Sequence, residues 1–221
     1  MTSVKIAFVL DCTGSMEYWI QTAKSKIQEI VSNIMSEHED STIEVGLIAY
    51  RDYDDRERFV IRDFTAPGVI RQVLGDIVAE GGSDEAEDVA HALQQCSAMS
   101  WEGADVRMVF HIADAPAHGM TFHRASVSDR FPDGDPEGLN PAEFIRMMST
   151  GGFVYTFVKI TSATDTMLDA FYNAWVGPGV FRIVDLRPQR LGSRRADDAF
   201  SSEVSREVSQ AIGRHTFSQG T

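Results

Sequence analysis

Four short clusters in the chain bring together residue types that could do chemistry. Asp11-Cys12-Thr13-Gly14-Ser15 offers a carboxylate and two hydroxyls at alternate positions. Gly81-Gly82-Ser83-Asp84 joins a permissive turn to an acid, Asp114 closes an apolar run, and Arg51-Asp52-Tyr53-Asp54-Asp55 adds further carboxylates. These are hard oxygen donors with no cysteine or histidine cluster among them. Carboxylates, hydroxyls and water suit Mg2+ or Mn2+ in an octahedral shell. His111, His118 and His123 raise the question of zinc. No cysteine or third ligand accompanies His118 and His123, and His111 lies inside an apolar run that reads as core.

The surrounding pattern says what holds the clusters in place. Short apolar runs read as strands: Val4 to Leu10, Ile43 to Tyr50, Phe59 to Phe64, Val106 to Ala113, Phe153 to Ile160 and Val180 to Val184. Between them lie helical periods. Met16, Trp19, Ile20, Ala23, Ile27, Ile30, Val31 and Ile34 form one stripe. Thr65 with Pro67 opens a second helix, and a third is expected from about Glu85 to Met99. Asn140-Pro141-Ala142-Glu143 is a capping box, and Met167, Leu168, Phe171, Tyr172 and Trp175 mark another helical face. Strands separated by helices imply crossovers and a mostly parallel sheet covered on both faces. The connection before Phe59 is too short for a crossover, so that strand is expected to be an antiparallel edge. The fold class is therefore α/β: a Rossmann-like, doubly wound, six-stranded sheet with one antiparallel edge strand. Ligands in such sheets bind beyond the carboxyl ends of the strands, where Asp11 and Asp114 fall.

Composition sets the outer bounds. The chain has 221 residues, 43% hydrophobic and 24% charged, which are globular values. Thirty-three acids against 20 bases give a net charge of -13. Phosphates would be repelled, so no nucleic-acid partner is expected. Cys12 and Cys96 make no disulfide framework and are expected to stay reduced, which points to a cytoplasmic setting. The first apolar run stops at Asp11, too short for a signal peptide, and no run approaches the ~18 apolar residues of a membrane span. Residues 115–139 read as a long loop, Arg187 to Arg195 as a linker, and Phe200, Val204, Val208 and Ile212 as a terminal amphipathic helix. The division is a domain over 1–186, then linker and helix over 187–221.

Asp11-x-Thr-x-Ser before a long amphipathic helix resembles the metal-ion-dependent adhesion site of von Willebrand factor type A domains. The usual pattern there is Asp-x-Ser-x-Ser, a Thr from a second loop and an Asp from a third. Asp11, Thr13 and Ser15 match the first loop, with Thr13 replacing one Ser, and Asp114 matches the third. Asp84 falls where the second-loop Thr stands. The resemblance is closer to the type A domains attached to alpha-type protein kinases, through DCTGSM, AYRDY, GGSDEAEDV, HIADAPAHG and FPDGDPEGL. No kinase domain fits in residues 187–221.

The resemblance implies a binding module rather than an enzyme, with a divalent cation held by Asp11, Thr13, Ser15, Asp84 and Asp114. A protein partner would complete the shell through an acidic side chain. With Asp84 included, three carboxylates leave the site near -1, so the metal would brace loops more than attract an anion. Otherwise Asp84 caps the helix starting near Glu85. Asp52 is expected to face water or support the ligands. Two alternatives stand beside this reading: a structural subunit with an incidental metal, and a metal-dependent phosphoryl-transfer hydrolase. The hydrolase would need a general acid where Thr13 stands, and no phosphate-binding Gly-Lys loop is present.

Overall fold

The computed structural model describes residues 1–22, 24, 32, 36, 40–186, 201–202 and 204–213. Six strands form one sheet: β1 (Thr2–Asp11), β2 (Ser41–Tyr50), β3 (Phe59–Thr65), β4 (Val106–Ala113), β5 (Val154–Lys159) and β6 (Val180–Asp185). Their order is β3-β2-β1-β4-β5-β6, all neighbours parallel except the β2–β3 hairpin. The expected sheet and its antiparallel edge are thus both present.

Alternation along the central strands creates two cores. Ile6, Phe8 and Leu10 of β1 face one side with Met108, Phe110 and Ile112 of β4. Ala7 and Val9 face the other with Ile48, Tyr50 and Val109. Because both faces are covered, β1 reads as a continuous apolar run rather than an alternating one. The first core is covered by Met16, Trp19 and Ile20, by Ile70 and Leu74 of α1 (Pro67–Asp76), and by Val204, Val208 and Ile212 in the helical stretch 204–213. The second lies under α2 (Val89–Ser97), α3 (Pro141–Thr150) and α4 (Asp165–Ala174). The continuation of the first stripe through Ala23, Ile27, Ile30, Val31 and Ile34 lies outside the described residues, as do Phe200 and the Arg187 to Arg195 stretch.

Helix starts correct two expectations. Thr65 ends β3, and Ala66 stands at the start of α1 without a side-chain cap. The third expected helix begins at Val89 instead of Glu85. The amides that would have formed its first turn are taken elsewhere: Glu85 and Ala86 donate to the Ser128 carbonyl, and Glu87 to that of Pro116. Asp88 is then the cap, accepting from the His91 amide. Asn140 caps α3 as expected, accepting from Ala142.

From β1 the chain steps to β2 and β3 on one side, then returns past β1 to β4 on the other. Leu10 pairs with Ile112, so the carboxyl ends of β1 and β4 stand level. The loops after these two strands diverge and leave a crevice between them, the switch point of a doubly wound sheet.

Candidate metal centre

The first loop folds back on its own acid. Asp11, fully buried, accepts on Oδ1 from the Thr13 amide at 3.0 Å and the Thr13 hydroxyl at 2.7 Å. Asp11 Oδ2 is buried with no hydrogen-bond partner among the described residues. The Ser15 hydroxyl lies 3.4 Å from that of Thr13, and Ser15 lines one cleft with Asp114. Asp114 Oδ1 is likewise buried and unpartnered. Burial, with the nearby Asp114 charge adding to it, pushes the Asp11 carboxyl up to about 7. The structure therefore brings Asp11, Thr13, Ser15 and Asp114 together, with two oxygens left over.

The second loop is laced onto the first. Glu80 donates to the Cys12 carbonyl at 3.2 Å and Gly14 to that of Gly81 at 3.3 Å. Gly81 and Gly82 take φ of 87° and 79°, a region that favours glycine. A Cβ on Gly82 would stand 3.1 Å from Glu87 Oε1 and 3.3 Å from Thr13 Cβ, which places the Glu87 carboxylate beside the first loop. Glu87 is 3% exposed and its Oε2 has no partner. Burial, then the charge of Asp11, pushes it up to about 10. Sequence reasoning missed Glu87 because it fell inside the helix expected from about Glu85 to Met99. The available signal was the run Asp84-Glu85-Ala86-Glu87-Asp88, which holds more acids than one cap can use.

Asp84 lines the same cleft, about 400 Å3, with Thr13, Ser15, Glu87 and Asp114. It does not cap α2; Asp88 does. Asp84 Oδ2 accepts from the Arg130 amide at 2.7 Å, and burial, with the nearby Asp52 charge adding to it, holds the carboxyl above its usual value. Nor does Asp52 face water: it is 1% exposed, with Oδ1 2.8 Å from His118 Nε2.

Two acid–histidine groups flank the cleft. In one, His118 Nδ1 lies 2.8 Å from Asp129 Oδ1, and His123 Nε2 lies 2.8 Å from Asp129 Oδ2. Burial opposes charge on His118, but the Asp52 and Asp129 carboxylates outweigh it and hold the imidazole above its usual value. Asp129 is drawn down to about 2: burial is outweighed by the Gly119 amide and the two histidines. In the other group, His91 Nδ1 lies 2.9 Å from Asp88 Oδ1, and Arg58 Nε donates to Asp88 Oδ2 at 2.6 Å. The Arg58 guanidinium also stacks 3.8 Å from the Tyr53 ring, whose hydroxyl donates to Asp135. His111 is core as expected: it is fully buried between the hydroxyls of Tyr50 at 3.0 Å and Tyr155 at 2.7 Å. Cys12 and Cys96 are buried free thiols.

Comparison with known proteins agrees with this architecture. Residues 5–128 match the von Willebrand factor A domain family, and the chain belongs to it. Domains of this family are often protein-interaction modules and often bind a divalent metal. The chain is 34% identical over 171 residues to alpha-protein kinase vwkA of Dictyostelium discoideum, covering 76% of this chain and 27% of the kinase. It thus spans about a quarter of that relative's length. Among solved structures, the pilus adhesin SpaC of Lactobacillus rhamnosus GG superposes with a TM-score of 0.61 at 14% identity, over 94% of this chain and 30% of the adhesin. The SpRpn10 VWA domain gives 0.57 at 12% identity, over 90% and 94% of the two chains. At these identities the likeness is one of fold. Among the described residues no helix is long and apolar enough to cross a membrane.

Proposed function

We propose that this chain is an intracellular protein-interaction module whose cleft holds a divalent cation, Mg2+ or Mn2+, and that it binds rather than catalyses. The observation that carries the metal is the set of orphaned oxygens: Asp114 Oδ1 and Glu87 Oε2, on residues that line the cleft, and Asp11 Oδ2, on the acid bonded to the cleft residue Thr13, are buried with no donor among the described residues. Unpaired buried carboxylates cost several kcal/mol unless a proton or a cation compensates them. Asp11, Thr13, Ser15 and Asp114 would hold the ion, with Glu87 and Asp84 as flanking acids of the second loop. When bound, the ion supplies positive charge and an acceptor site for an anionic group. With the flanking acids present that charge is largely spent, so the partner is held mainly by the surface around the cleft. The Thr13 hydroxyl is already donated to Asp11, which leaves no general acid at that position. The family and its similarity to a kinase-linked relative support an assembly role.

Affinity capture from cell extract with and without chelator, read by mass spectrometry, tests the binding role. A set of proteins lost on chelation and lost again with Asp114→Ala is the expected result. Turnover of a phosphate ester that needs Mg2+ and Asp11 would overturn it.

A further inference from the structure

Beside the cleft, His118 is gripped by two carboxylates, Asp52 on Nε2 and Asp129 on Nδ1, each at 2.8 Å. Asp84, His118 and Asp129 each offer a ligand atom, all within 4.8 Å of one another. Two buried oxygens there have no hydrogen-bond donor: Asp52 Oδ2, on a residue 1% exposed, and Asp84 Oδ1. Among the described residues no arginine or lysine pairs with Asp52, Asp84 or Asp129. Arg130 sends its guanidinium outward to Asp54 and Ser83. The comparable group at Asp88, His91 and Asp135 already contains its cation, since Arg58 bonds Asp88 directly.

We propose that Asp84, His118 and Asp129 form a second cation site, one that takes a transition metal of the Zn2+ or Mn2+ type, with Asp52 orienting the imidazole through its other ring nitrogen. The donor set decides the class. Two carboxylates and an imidazole are richer in nitrogen than Mg2+ or Ca2+ sites, which take oxygen ligands. The spacing fits: neighbouring ligands of an ion about 2.1 Å away stand about 3.0 Å apart in an octahedral shell, close to the separation of His118 from Asp129. Metal entry would displace the proton now shared between His118 and one carboxylate, and His123 would remain on the other oxygen of Asp129. This site needs no assumption about the cleft of Asp11 and Asp114, with which only Asp84 is shared.

The test uses the full chain, stripped with chelator and then saturated with Mg2+ to fill the hard-oxygen site. Zn2+ is titrated by calorimetry, and Co2+ by its visible absorption, which reports nitrogen ligation. The expected result is one equivalent of Zn2+ that excess Mg2+ does not displace. Asp129→Asn and His118→Gln should each weaken it at least tenfold and change the Co2+ spectrum, while Asp11→Asn leaves both unchanged. The Mg2+ response should show the reverse pattern, so failure at one site does not mimic failure at the other. No Zn2+ uptake by the wild-type chain under Mg2+ overturns the proposal, because a proton then suffices. So does uptake that survives His118→Gln or follows Asp11→Asn. Should either histidine-site variant fail to fold, the wild-type stoichiometry and Co2+ spectrum still decide.

Discussion

Asp88 and Asp52 are both almost wholly buried and both bonded to a histidine, yet only Asp88 meets an arginine. Arg58 completes the Asp88 group from within the chain, so that region is electrically finished on folding. The Asp52 group, like the cleft of Asp11, Asp114 and Glu87, retains unpaired buried oxygens. Oxygens left without donors mark where the fold expects something from outside, and an arginine marks where it does not.

The largest effect should separate the two regions directly. Asp88→Ala breaks the Arg58 pair and the cap of α2 together, and should cost about 4 kcal/mol in chemical denaturation. Asp52→Asn removes one of two facing carboxylates and should cost no more than about 1 kcal/mol. Equal losses would erase the distinction.

Histidines give a second measure. Burial holds His111 down to about 3, so it stays neutral between its two tyrosines. Its folded value is below the unfolded 6.5, so its stabilisation is present above pH 6.5 and lost as pH falls. By pH 4 about 3 kcal/mol should be gone, and His111→Gln should flatten that slope. His118 is held above 6.5 and has the opposite sign: its stabilisation is present below pH 6.5 and lost as pH rises through its folded value. Denaturation across pH in chelator checks both.

Smaller effects sharpen the cleft. At a hundredfold excess over its Kd, Mg2+ should stabilise the wild type by about 2.7 kcal/mol, and Asp11→Asn should abolish the gain. In chelator, Asp11→Asn should instead raise stability by about 1 kcal/mol, because it removes a buried charge facing Asp114. Arg130→Ala, which loses exposed contacts with Asp54 and Ser83, should move stability by less than about 0.5 kcal/mol.

The sheet was legible because its strands write their burial into sequence. Val106 to Ala113 is bounded as expected, and Phe59 to Phe64 falls within one residue of β3. Asp11, Thr13, Ser15 and Asp114 were legible because strand ends and alternate spacing place them. Glu87 was not, since only bonds to Pro116 and Ser128 keep its segment from being helix. The Asp52–His118–Asp129 contacts were invisible for a related reason. They join a turn after β2 to two points of a long loop, and no periodicity links residues 66 positions apart.

That long loop is fastened where it meets the second loop. Ser128 accepts two amides, Glu87 bridges Ala117, and Arg130 and Ser128 donate back to Asp84 and Glu85. Neither segment is regular there, yet neither can open alone without stranding the other's amides. Under native-state hydrogen exchange the two should behave as one cooperative unit, opening together or not at all. A ligand gripping either loop then slows exchange in both, and an event at one strand end is felt across the crevice without any helix having to move.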